Sequence, residues 1–149
     1  MSNFWILILL AIVAGAMAPL QAATNNRLAI VLGSPVLSAL VSFVIGTLTL
    51  LIYIVASGTP LSNLGLMKEA PPVAWIGGVL GAIFVTATVL LLPRLGVAMT
   101  FSLVIAGQML ITLVIDHFGL LGVPVKEISL ARILGVMLIV AGSILIRKF

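Results

Sequence analysis

Apolar residues run along this chain in long, nearly unbroken stretches, and the polar positions gather between them. A helix needs about 20 mostly apolar residues to cross about 30 Å of hydrocarbon. Five stretches meet or approach that length and predict helices over 4–22, 34–56, 72–92, 96–115 and 130–146. None has a charge near its middle. The connectors are short and carry breakers. Ser34-Pro35 opens the second helix, with proline in the first turn, where its missing N–H is least costly. Ser57-Gly58-Thr59-Pro60 closes it, and Pro71-Pro72 precedes the third. Pro93-Arg94-Leu95-Gly96 predicts a tight turn into the fourth, which ends at Asp116-His117-Phe118-Gly119. The expectation is an all-α membrane protein, one domain over 1–149 with five transmembrane helices.

Composition sharpens this. The chain is 63% hydrophobic and 7% charged, with a mean hydropathy of +1.45. Soluble domains are about 45–50% apolar and about 25% charged, and so short a chain has too little interior to hide this much apolar surface from water. The net charge of +4 is dispersed, which excludes a nucleic-acid patch. There is no cysteine, no HExxH and no phosphate-binding GxxxxGK[ST] motif, so no metal, cofactor or ATP chemistry is expected. No serine-nucleophile motif appears, and no enzyme activity is expected. The first stretch lacks the positive segment that precedes a secretory signal's apolar run, so it is expected to be a retained helix.

Five spans put the two termini on opposite sides of the membrane. A joined duplicate would be inverted, which is the logic of inverted-repeat transporters. No repeat lies within the chain, so the second half is expected from a second copy or a partner. Orientation follows Lys and Arg in short loops. Lys68, Lys126 and Arg132 fall on one side, and Arg27, Arg94, Arg147 and Lys148 on the other. Two readings stand: the C-terminal pair holds its end in the cytoplasm, or copies insert both ways and pair antiparallel. The near balance favours the second.

Small residues mark helix contacts in lipid. Ala14, Ala18 and Ala22 recur at four-residue intervals, as do Ser38, Ser42 and Gly46. The third helix carries Gly77 with Gly81, and Ala74 with Gly78 and Ala82. Gly77, Gly78, Gly81, Ser42 and Gly46 are therefore the candidates for bundle packing and a dimer interface, although each stripe alone also fits packing within one chain.

Polar groups at membrane depth are costly and face a cavity or a partner. Pro19 sits inside the first helix and predicts a break. Gln21, Thr24 and Asn25 follow at spacings that share one face. They either line a substrate path or cap a helix end. Gln108 is the deepest amide, and with Thr100, Thr112 and Asp116 it forms a slanting line on the fourth helix. Its alternative is interhelical glue. Gln21, Asn25 and Gln108 are the candidate substrate contacts. Asp116 and His117 are adjacent titratable groups that either carry protons or mark an ordinary interfacial stop. Arg94 either anchors the chain by snorkelling or, in an inverted pair, meets the depth of Asp116 as a gate.

Several stretches together resemble the YdcZ-like inner-membrane exporter family of the drug/metabolite transporter superfamily. They are Pro19-Leu20-Gln21-Ala22 through Asn25 and Leu28, Leu32-Gly33-Ser34-Pro35, Ser42-Phe43, Gly46-Thr47 and Trp75-Ile76-Gly77-Gly78-Val79-Leu80-Gly81. Pro93-Arg94-Leu95-Gly96, Ala106-Gly107-Gln108, Ile115-Asp116-His117-Phe118-Gly119, Arg132 and Gly135 complete the set. The resemblance implies five helices, multi-pass insertion in a bacterial inner membrane, and pairing of inverted copies. It implies transport of a small solute by the pair. Related small multidrug exporters have four helices and an embedded glutamate, and this chain has neither. The expected partners are membrane lipid, a second inverted copy and a small solute, with no nucleic acid. The competing expectation is a membrane interaction or assembly protein that transports nothing. A channel is less favoured, since no ring of charges or carbonyl filter is visible.

Overall fold

The computed structural model describes the backbone of residues 2–148 and the side chains of residues 4–146. Among these residues the chain forms four α-helices and no strand: α1 (Ser2–Leu32), α2 (Pro35–Ser57), α3 (Ile76–Phe118) and α4 (Leu130–Lys148). The segments Phe4–Leu32, Pro35–Ser57 and Pro72–Phe118 are each long and apolar enough to cross a membrane, and α4 adds a shorter apolar helix. The chain divides into two compact units between Pro93 and Arg94.

In the first unit, α1 and α2 form a hairpin with a two-residue link. Gly33 takes φ +66°, the left-handed conformation that ends a helix cheaply only at glycine. Ser34 N–H reaches back to the Ala29 carbonyl at 3.2 Å and satisfies a terminal acceptor of α1. The Ser34 hydroxyl in turn accepts from Leu37 N–H at 3.3 Å and caps α2, with Pro35 in its first turn. One dipeptide thus stops one helix and starts the next. The contact face joins Ala22, Asn25 and Ala29 of α1 to Ser38 and Ala39 of α2, all buried. Side chains this small let the two backbones approach closely, which is how helices hold together without a hydrophobic drive between them.

α1 corrects the sequence reading in two ways. Pro19 does not break it, and it runs ten residues beyond the expected end at 22. Proline forfeits one bond, to the Gly15 carbonyl, but hydrocarbon offers no water to compete for the backbone, so membrane helices tolerate it. Beyond Pro19 the Thr24 hydroxyl donates to the Leu20 and Gln21 carbonyls, at 3.2 and 2.9 Å. The polar run through Arg27 is helical because its inner face packs on α2.

α2 ends at Gly58, also left-handed, whose N–H returns to the last turn. Two 3₁₀ segments follow, Leu61–Glu69 and Pro72–Trp75, and the second leads directly into α3. The expected turn at 93–96 narrows to its last residue. The helical hydrogen bonding continues past Pro93, and the departure falls at Gly96, with φ 76° and ψ 167°. That backbone region is essentially closed to residues with a Cβ. The Thr100 hydroxyl donates to the Gly96 carbonyl at 2.7 Å, securing the turn that restarts the helix. In the second unit, α3 ends at Phe118 with Gly119 left-handed. Residues 119–129 return to α4, where the Ser129 hydroxyl accepts from Arg132 N–H at 3.3 Å. Across this unit the Ser143 hydroxyl of α4 donates to the Ser102 carbonyl of α3 at 3.2 Å.

Candidate functional site

The polar residues singled out by sequence fall into two groups, one in each unit. In the first, Asn25 is 6% exposed on the inner face of α1. Its backbone carbonyl accepts a 2.6 Å hydrogen bond from the fully buried Ser38 hydroxyl. Its side-chain Nδ2 is buried without any hydrogen-bond partner among the described residues. Natural structures rarely leave such a donor unpaired, because it forgoes water and gains nothing in return, at a cost of about 1–3 kcal/mol.

The expected common face of Gln21, Thr24 and Asn25 separates in the structure. Asn25 is buried, whereas Gln21 and Thr24 are exposed on the flank of α1. The buried stripe is Ala22, Asn25 and Ala29, spaced by three and four residues. Gln21 lies one turn from Asn25, about 6 Å along the helix axis. The sequence reading counted Ser38 only among small packing residues; its spacing from Asn25 carries no signal until the α1–α2 hairpin closes.

In the second unit, Gln108 lies on an exposed face of α3. The slanting line through it does not share one environment: Thr100 is fully buried, Gln108 is exposed, and Thr112 and Asp116 are intermediate. The Thr100 and Thr112 hydroxyls donate to carbonyls four residues back in their own helix, the latter to Gln108 at 2.7 Å. Neither needs a second helix to be satisfied. Arg94 begins this unit and is exposed.

Asp116 and His117 meet different partners at the α3–α4 corner. The Asp116 carboxylate pairs with the Arg132 guanidinium, with both side chains less than a third exposed. Arg132 Nη1 also donates to the Lys126 carbonyl at 2.8 Å, and Lys126 N–H donates to the Asp116 carbonyl at 2.8 Å. His117 Nδ1 accepts from Ile128 N–H at 3.3 Å. Gly119 completes the corner: a Cβ there would stand 2.7 Å from Val125 Cγ2. The acid is thus fastened to the first turn of α4 and the imidazole to the loop at Ile128. Sequence had counted Arg132 as a loop charge and a family match; its pairing with Asp116 spans 16 residues and follows no helical spacing.

Of the expected packing glycines, Gly81 makes a close contact. Its Cα hydrogen faces the Phe43 ring of α2, and an added Cβ would lie 3.3 Å from Phe43 Cζ. Gly46, Gly77 and Gly78 face open space. Among the described residues no group of three His, Asp or Glu side chains is placed to hold a metal.

No curated protein and no solved structure matches the chain. The model of one protein family, described as "Putative inner membrane exporter, YdcZ", matches residues 6–145. With its long apolar helices and that match over nearly its whole length, the chain belongs to the YdcZ family that this model describes.

Proposed function

We propose that this chain is one half of a secondary exporter for a small solute, completed by an inverted second copy and working by alternating access in a bacterial inner membrane. The observation that carries the reading is the Asn25 amide, a buried donor with no partner among the described residues, in a helix contact otherwise made of alanines and the paired Ser38 hydroxyl. In the closed hairpin it is out of reach. A substrate engages it when α1 and α2 part, and its binding energy then offsets the cost of opening. The donor suits a solute with a carbonyl, hydroxyl or ether oxygen. The charge-poor surroundings favour an amphipathic solute that is neutral or singly charged. Gln21 and Gln108 supply further hydrogen bonds from exposed helix faces.

Five spans agree with the length of α3. Its 43 residues would extend about 65 Å, twice the hydrocarbon thickness. Gly96 leaves about 20 residues on each side, one span apiece. An odd count with nearly balanced basic loops supports insertion in both orientations. The open Cβ positions of Gly77 and Gly78 leave a close-packing face on α3 for the second copy. Arg94 and the Asp116–His117 corner, with its proton-carrying or gating role, would come to similar depth in such a pair.

Topology is the test. The natural chain has no cysteine, so single cysteines placed near each terminus can be labelled from outside in intact cells. Labelling of both ends, in separate fractions, is the expected result. Labelling of one end alone rejects the inverted homodimer and points to a partner of opposite orientation. A packing protein that transports nothing is distinguished by the paired changes Gln21→Leu and Gln108→Leu, which leave its function intact and abolish an exporter's.

A further inference from the structure

The connector between α2 and α3 is largely exposed. Every residue from Ser57 to Trp75 is exposed except the half-buried Ala70. Yet Leu61–Glu69 is a 3₁₀ helix of nine residues. Such helices seldom exceed three or four residues, because their hydrogen bonds are strained and their side chains eclipse every third position. This one begins at Pro60 without a side-chain cap. Neither local capping nor tertiary packing explains its length.

The three-residue repeat sorts its side chains. Leu61, Leu64 and Met67 align on one face, with exposures of 53%, 58% and 44%. Ser62, Gly65 and Lys68 align on a second face, and Asn63, Leu66 and Glu69 on the third. One face is wholly apolar and its neighbour polar. Both ends of the connector join helices long and apolar enough to span a bilayer, so the segment lies at the level of the headgroups. Trp75 and Tyr53, both exposed, stand at the adjoining helix ends, where aromatic residues mark the membrane boundary.

We infer that Leu61–Glu69 is an interfacial helix whose Leu61, Leu64 and Met67 face inserts into the acyl boundary of the bilayer. The occupant of that face is lipid, because the segment is continuous at both ends with lipid-embedded helices. Lys68 and Glu69 cancel in charge, so attachment rests on the apolar stripe and is indifferent to anionic headgroups. The inserted stripe fixes the depth of the α2 and α3 ends and supplies the apolar surface that holds a 3₁₀ helix of this length. This inference rests on membrane insertion and is independent of transport.

The test places one cysteine in turn at positions 61, 64, 67, 62, 65 and 68, labels each with bimane, and reconstitutes the full chain in phosphatidylcholine vesicles. Spin-labelled lipid with the nitroxide high on the acyl chain should quench positions 61, 64 and 67 about threefold more than the other three. Aqueous iodide should show the opposite order, and adding phosphatidylglycerol should change neither. Equal iodide access at all six positions overturns the inference, since the connector then hangs in water. Protection of 61, 64 and 67 from both quenchers also overturns it, since another protein surface then covers the stripe.

Discussion

The Ser38 hydroxyl donates a 2.6 Å hydrogen bond to the backbone carbonyl of Asn25, while the side-chain amide of that same asparagine is buried with no partner among the described residues. The α1–α2 hairpin therefore satisfies the main chain of Asn25 and leaves its side chain in deficit. Buried polar groups are nearly always paired, and an unpaired one costs stability.

That deficit gives Asn25→Leu two effects of opposite sign. Removing a buried, unpaired donor in favour of an apolar side chain of similar size should raise stability by about 1 kcal/mol. The same change should abolish export, because the substrate loses its donor. Thermal unfolding in detergent and efflux from loaded vesicles measure the two effects separately. A destabilised variant that still exports would show that the amide is a structural group. The Ser38 bond is to the backbone and survives the substitution.

Gly81 of α3 lies against the Phe43 ring of α2. An added Cβ 3.3 Å from Phe43 Cζ requires the ring to yield by a few tenths of an ångström, and the partly exposed ring has room to do so. Gly81→Ala should therefore be nearly neutral, with the better helix propensity of alanine offsetting mild crowding. Gly81→Leu should cost about 1–3 kcal/mol by overpacking. Combining Gly81→Leu with Phe43→Ala should recover much of that loss. The comparison is one of unfolding midpoints, and additive losses in the double variant would show that the two positions do not press on each other.

Sequence pattern located α2 within a residue at each end because its stop and start signals are local. Ser34-Pro35 and Ser57-Gly58 act through their own backbone geometry. The end of α1 was not legible. Thr24, Asn25 and Asn26 have poor helix propensity, and packing of Ala22, Asn25 and Ala29 against α2 helps hold them helical. The break in α3 was placed in the correct tetrapeptide, but not on a residue within it. Proline merely removes a donor, whereas Gly96 alone can adopt the φ and ψ found there. Candidate polar residues were legible as rare amides and acids in apolar sequence. Their partners were not, because Ser38 lies 13 residues from Asn25 and Arg132 lies 16 from Asp116, distances set by hairpin closure.

The Asp116–Arg132 pair separates two roles for the acid. Both side chains are less than a third exposed, and Arg132 also holds the Lys126 carbonyl, so the guanidinium ties the return loop to the end of α3. Asp116→Asn leaves a hydrogen-bonding group but removes the charge partner, and should cost about 1 kcal/mol. Arg132→Gln should cost more, since it loosens both the acid and the loop carbonyl. The exchanged pair, Asp116→Arg with Arg132→Asp, should restore part of the charge term but not the Lys126 contact, and so should stay below the natural chain. These changes are read as unfolding midpoints in detergent. If Asp116 only fastens the corner, export by Asp116→Asn should fall no further than its stability, and its dependence on external pH should be unchanged. If the carboxylate carries protons, Asp116→Asn should lose the pH dependence of export even where the protein stays folded. Measuring both on the same purified preparation assigns the role, because fastening requires the charge pair and proton carriage requires a group that can take up and release a proton.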